Sequence, residues 1–425
     1  MQPHERATGG LTRRTLLGAC LTTRVARASR DWDLQVAQVT HGPKHHWFGY
    51  IGHVKNTPWN GNGRFMALLR TGFQDHMPAP AEAADVVLVD TRSNNRVEAI
   101  DRSHAWNPQQ GTMFYWNPKA ANTELIFNDR DLKTNHVFAV RYDIAKQKRI
   151  HEYRYEDTPI GNSGVAQKGG YFLGLNYGRL ARLRTVTGYP GAYDWAENVP
   201  APENDGIFLV EIESGKKRLL VSFRQLADLV APQRPDVAGK QLFINHTLWN
   251  RDDNRIYFYV RADFSDRQGR IDVPCTIHPD GTHLTAHAYI GGHPEWEFST
   301  RLVGDKDGRQ VLYDVDTKQI VGPLGPAEIL PASDADSALS PDGKWYVNGY
   351  RAGHEDFYAI LRRSDNSYTR SQPFPIDNWI GSDLRLDPAP CWNRTSNAIA
   401  FPAIADDQER TRQTFVLRVR PQRKA

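Results

Sequence analysis

The chain has 425 residues, of which 40% are hydrophobic, 24% charged and 11% aromatic, which is enough apolar material for a sizeable core. A formal net charge of +4, with no Lys/Arg block beyond the first thirty residues, argues against nucleic acid as the main partner and suits an anionic substrate. No apolar run reaches the roughly 18 residues of a membrane-crossing helix, so no transmembrane segment is expected.

At the N-terminus, Thr12-Arg13-Arg14-Thr15-Leu16-Leu17 and the short apolar stretch to Leu21 read as a twin-arginine export signal. Leu17-Gly18-Ala19-Cys20 resembles a lipoprotein cleavage box and Ala26-Arg27-Ala28 a peptidase site, and the two alternatives stay open. The expectation is an exported protein, periplasmic or at the cell surface, with residues 1–30 as the signal. No linker or low-complexity tract interrupts residues 31–425, which are expected to form one domain. Once Cys20 is removed or lipidated, Cys275 and Cys391 remain, too few for a disulfide scaffold.

Across the whole chain, 33 Gly and 26 Pro among abundant rings favour many short strands over helical bundles. One local pattern recurs, an aromatic or polar turn followed by an alternating apolar strand. It is seen at Trp59-Asn60-Gly61, Trp116-Asn117-Pro118, Lys168-Gly169-Gly170, Trp249-Asn250-Arg251, Asp305-Lys306-Asp307-Gly308, Ser340-Pro341-Asp342-Gly343 and Trp392-Asn393-Arg394. Seven hairpin units, mostly about 50 residues apart, predict an all-β, seven-bladed β-propeller. The clearest helical pattern is Phe223 to Leu229, with apolar residues at i, i+3 and i+6.

Propellers bind ligands at the channel mouths through loops, so polar clusters in loops are the candidate sites. Lys44-His45-His46-Trp47, with His41 and His53 nearby, offers an imidazole that titrates near neutral pH, a cation for a carboxylate and a ring for stacking on a sugar. On a strand, His45 and His46 point to opposite faces, so one of them at most lines a given site. Gln110, within Trp106 to Thr112, and Arg130, after Asn128-Asp129, are suited to sugar hydroxyls and carboxylates. Asn176 and Arg179, with Arg182 and Arg184 close behind, read as an anion site. His246, His293, Asp336 and Cys391 stand at similar blade positions, so the ring would bring them around its axis as ligands of a structural divalent ion, zinc or calcium. There is no G-x-S-x-G elbow, Walker loop or H-E-x-x-H motif.

His45-His46-Trp47-Phe48-Gly49-Tyr50, Pro58-Trp59-Asn60, Trp106-Asn107-Pro108-Gln109-Gln110-Gly111, Phe127-Asn128-Asp129-Arg130 and Leu175-Asn176-Tyr177-Gly178-Arg179 together resemble glycoside hydrolase family 145. Those seven-bladed propellers are α-L-rhamnosidases acting on rhamnose linked to glucuronic acid in arabinogalactan. The segments are similar, less closely, to propeller lyases of ulvan and rhamnosyl-glucuronate. The lyase resemblance implies a histidine where this chain has Gln110 and a tyrosine where it has Ser163, with the arginine kept as Arg179. An amide and an unactivated hydroxyl are poor carbon-proton bases, so the hydrolase branch is the expectation.

That resemblance implies His45 as the catalytic group, on the propeller face opposite the lyase site, with Lys44, His46, Trp47, Gln110, Arg130, Asn176 and Arg179 as substrate contacts. The expected substrate is an acidic oligosaccharide or polysaccharide, and the reaction requires no cofactor. A lyase using His104 or His136 near Arg179, and a non-catalytic glycan-binding propeller, are the alternatives.

Overall fold

The computed structural model describes residues 31–421 apart from 50–55, 267, 289, 327–329, 331–335, 378 and 380. The export-signal residues, Cys20, His53 and Asp334 therefore lie outside the described residues. The chain forms seven antiparallel sheets, six of four strands and one of five, with only two α-helices among the described residues. This is the seven-bladed β-propeller expected from the hairpin repeat.

Six blades run outward from the axis in chain order. Their innermost strands are His45–Trp47, Tyr115–Trp116, Gly161–Val165, Phe243–Trp249, Gly291–Trp296 and Asp336–Leu339. The seventh blade is built from both ends of the chain. Cys391–Trp392, Ala398–Ile404 and Arg412–Pro421 form its inner three strands, and Trp32–Gln38 adds the outermost one, in register from Trp32↔Pro421 to Gln38↔Phe415. This closure leaves the ring without an open blade.

The tryptophans of the repeat explain how blades join. The indole N–H of Trp116 donates to Pro58 O at 2.7 Å, Trp249 to Gly164 O at 3.1 Å, Trp296 to Leu248 O at 2.8 Å and Trp392 to Ala338 O at 2.9 Å. Each bond runs to the preceding blade, and each ring is buried. The polar residue after the tryptophan closes the turn. Asn250 Oδ1 accepts from the Arg255 amide at 3.1 Å, Asn393 Oδ1 from Ala398 at 3.1 Å, and Ser340 Oγ takes the same role for Trp345 at 2.9 Å.

One repeat unit is displaced from its expected place. Asp307-Gly308 links Arg301–Lys306 to Arg309–Asp314, the second and third strands of the fifth blade, rather than its first and second. The inner turn there follows Trp296 instead.

Because neighbouring strands alternate in direction, all inner strands begin on one face and end on the other. The tryptophan turns occupy the second face, hereafter the turn face. The mouth face carries the starts of the inner strands and the loops joining second to third strands. Helix α1 (Tyr177–Leu183) lies on the mouth face directly after Tyr171–Leu175, capped by Asn176, whose Oδ1 accepts from the Arg179 amide at 3.0 Å. Helix α2 (Phe223–Val230) covers the expected Phe223–Leu229 segment and opens with a capping box between Ser222 and Gln225.

Candidate functional site

His45 opens the first inner strand on the mouth face, the same face as Arg130, Asn176 and Arg179. The two faces expected to separate these residues are thus one. The His45 Nδ1 accepts from the Arg412 amide at 3.1 Å, which leaves the ring proton on Nε2. Burial, then the Arg412 charge, lowers its pKa, so the half-buried ring is neutral near pH 7. His46 is buried against Gln413 Oε1 at 3.0 Å, and burial brings its pKa to about 4.

Several expected contacts are occupied within the protein. Trp47 is fully buried beside Trp106, with the Arg412 guanidinium 4.8 Å from its ring, so it presents no stacking surface. Lys44, about half exposed, stands 3.8 Å from Asp85, where Arg70 also binds at 2.8 Å. Arg130 is buried, donating to the carbonyls of Pro190 and His104, and burial pushes its pKa to about 10. Asn176 Nδ2 bridges Asp194 and Asp205 at 2.8 and 2.9 Å.

Arg179 directs all five N–H groups at the carbonyls of Leu242, Ala196, Val199 and Pro200, so it fastens α1 to the fourth blade and keeps no donor for a ligand. Gln110 is buried and lines a small recess with Ser163, Asn245 and His246. His104 and His136 turn to Asp129, at 3.5 Å, and to the Tyr193 ring.

The centre of the mouth face gathers a different set. His246 takes a left-handed backbone (φ 56°) at the irregularity in Phe243–Trp249, and its ring lies 5.7 Å from that of His293. His293 Nδ1 is 3.0 Å from Asp336 Oδ1, and Asp336 Oδ2 accepts from the Ala389 amide at 3.2 Å. Burial opposes the charge on both partners. The pair outweighs it, raising His293 above its ordinary pKa and lowering Asp336, so imidazolium faces carboxylate. Asp387, bound by Gln109 and by Arg385 Nε at 3.0 Å, is pushed up by burial and by the nearby Asp336 charge.

The expected four-ligand metal set is not assembled. Cys391 Sγ turns towards Ala389 O at 3.8 Å, and burial holds its thiol up at about 12. Among the described residues, no group of three or more His, Cys, Asp or Glu side chains is placed to hold a metal ion. Cys275 and Cys391 are both free thiols.

Beside this centre stands an arginine cluster that the sequence reading reached only in part. Three guanidinium groups surround the Phe264 ring: Arg270 at 3.5 Å, Arg184 at 4.0 Å and Arg261 at 4.8 Å. Arg261 and Arg270 both bind Asp272, at 2.7 and 2.5 Å. The Arg184 guanidinium has neither ion pair nor hydrogen-bond partner among the described residues, and its Nε is buried. Burial above all, then repulsion from Arg385 and Arg261, lowers its pKa to about 10, with Asp383 opposing the shift. The run of arginines after Asn176 was read as an anion site, and Arg184 rather than Arg179 is the member left without a partner among the described residues. Arg261, Phe264, Arg270, Arg385 and Asp387 were missed, since they come from a strand and from loops 77 to 203 residues further along the chain than Arg184.

No family model matches the sequence, and no curated protein does. Among solved structures, an oligogalacturonate lyase in complex with manganese is similar over 91% of this chain and 96% of its own, at a TM-score of 0.61 and 13% identity. The β-propeller domain of Myceliophteria thermophila Cps50 (Swd1) aligns over 90% of this chain and 99% of its own, with a TM-score of 0.47 and 11% identity. The first likeness is one of fold.

Proposed function

We propose that the protein binds a uronic-acid-bearing glycan across the mouth face and cleaves it by β-elimination. The observation that carries this reading is the unpaired Arg184 guanidinium in a cluster of arginines beside imidazoles and carboxyls held in different protonation states. An arginine fork matches a carboxylate, and neutralising a uronate acidifies the carbon proton next to it. His246 then takes that proton, and the His293 imidazolium, held charged by Asp336, gives one to the leaving glycosidic oxygen. The glycosidic bond breaks and a double bond forms in the uronate ring. The fold shared with an oligogalacturonate lyase is in keeping with this chemistry. No step is assigned to a metal ion, because the described residues do not assemble a site for one.

A second reading, the α-L-rhamnosidase expected from the resemblance, rests on His45. Its Nδ1 is occupied by the Arg412 amide, so Nε2–H is a fixed donor on the mouth face. As a neutral ring it suits a hydrogen bond to the glycosidic or a sugar oxygen and not proton abstraction; giving that oxygen a proton needs the imidazolium, which the lowered pKa confines to acid pH. Product analysis separates the two readings. Digests of oligogalacturonate and of rhamnosyl-glucuronate glycans are expected to give an ultraviolet-absorbing unsaturated uronate. Free rhamnose without that chromophore would transfer the assignment to His45. Binding without turnover would leave a glycan-binding propeller.

A further inference from the structure

We propose that the opposite end of the channel, on the turn face, holds a second site, a recess in which Arg394 and Asn56 bind a compact anion, either a carboxylate or a phosphate group. The recess, about 40 Å³, is lined among others by Asn56, Thr57, Tyr115, Gln167 and Arg394, and no acidic residue lines it. That volume holds a few water-sized centres, enough for a carboxylate or phosphate head.

Arg394 stands in the turn after Trp392-Asn393. Its Nε–H is shared between the carbonyls of Trp59 and Asn60, 3.3 Å from each, while its terminal nitrogens have no hydrogen-bond partner among the described residues. No carboxylate offsets the burial that lowers its pKa. The chain contains its own control. Arg251 follows Trp249-Asn250 in the equivalent turn of the fourth blade and is buried where Arg394 is half-buried, and its terminal nitrogens donate to Pro341 O at 2.7 Å and Ser340 O at 3.1 Å, with Glu297 nearby as a counter-charge. The same three-residue sequence is thus saturated in one blade and leaves an open fork in the other.

Asn56 supplies the independent second observation. It is 91% buried, the complement of its 9% exposure, and its Nδ2 has no partner among the described residues. A buried amide donor and a half-buried guanidinium line one recess, and among the described residues neither finds there the acceptor that an anion would supply. An arginine fork also favours a planar or tetrahedral oxyanion over a neutral sugar. This site is separate from the mouth-face cluster and does not depend on the reaction assigned there.

The test is isothermal titration of the full chain at low salt with inorganic phosphate and, separately, with glucuronate. An Arg184→Ala background keeps the mouth face from contributing. Saturable, salt-sensitive binding of at least one probe is expected, and it should weaken about tenfold or more in both Arg394→Met and Asn56→Ala. Arg394→Met keeps the apolar stem, and Asn56→Ala leaves the turn untouched should the first variant fold poorly. Binding of phosphate alone would identify a free phosphate as the ligand. Binding of glucuronate would identify a saccharide carboxylate. Absence of binding by either probe, or affinity unchanged in both variants, would overturn the proposal.

Discussion

Among single residues, Arg184 and Arg179 make the sharpest contrast, five positions apart and alike on paper. Arg179 is saturated by carbonyls and Arg184 is not. Replacing Arg184 by Ala is therefore expected to weaken uronate binding about tenfold or more with little loss of stability, as equilibrium titration would read. Arg179→Ala should instead lower the thermal midpoint. The sequence pointed to an anion site in this stretch but could not rank its arginines. Which of them faces inward depends on where Leu242 and Val199 place their carbonyls, and no local spacing encodes that.

Glu295 yields a prediction in pH. It sits in the inner strand of the fifth blade, fully buried, with Oε1 unpartnered and Oε2 accepting from the Leu339 amide. Burial pushes its pKa to about 8, against an ordinary 4.5. The folded state keeps the proton that the unfolded chain releases first, so its contribution to stability falls as pH rises from about 4.5 to about 8. Glu295→Gln has no such titration. Relative to the parent it should gain more than about 1 kcal/mol between those limits, read by denaturant unfolding at each pH.

Among elements, the tryptophan turns were the most legible feature, because the same physical task, closing a tight turn and pinning it to the blade before, recurs around the ring. Where the pattern was read from Asp307-Gly308, the true staple, Trp296, lay eleven residues before Asp307. Asp-Gly supports any tight hairpin, so turn chemistry alone cannot say which pair of strands it joins. Trp249→Phe keeps the ring and removes the bond to Gly164 O, which should cost about 1 kcal/mol or more in chemical denaturation.

Helix α1 was not legible as a helix, since seven residues offer less than two full turns of periodicity. Its seat is tight: a methyl group at Gly188 would stand 2.0 Å from the Ala181 backbone nitrogen. Gly188→Ala should therefore destabilise by about 2 kcal/mol. It should also displace Arg184, so that uronate affinity and thermal midpoint fall together, whereas Arg184→Ala affects affinity alone.

At the scale of the whole molecule, the architecture was readable from repetition, and the site was not. The mouth-face centre takes His246, His293 and Asp336 from three different blades and Asp387 from the segment leading into the seventh, so its composition exists only once the ring is closed. The supposed separation of His45 from that centre had the same origin, since direction of approach is a property of the closed ring. Closure itself is carried by Trp32–Gln38 on Arg412–Pro421, and Arg412 also links His45 to Pro108. Deleting residues 31–38 should therefore lower the thermal midpoint sharply and weaken glycan binding with it, as calorimetry and titration on one preparation would show.

The pairing of Trp32 with Pro421 also makes neighbours of residues almost four hundred positions apart. A short linker could join them, and new ends could then be cut at an exposed hairpin such as Asn62-Gly63. In such a circular permutant every blade but one would be made from a continuous stretch of chain, and the blade that waits for the end of synthesis would be a different one. Comparing refolding rates of the two versions would reveal whether zipping the terminal strands together sets the pace of assembly.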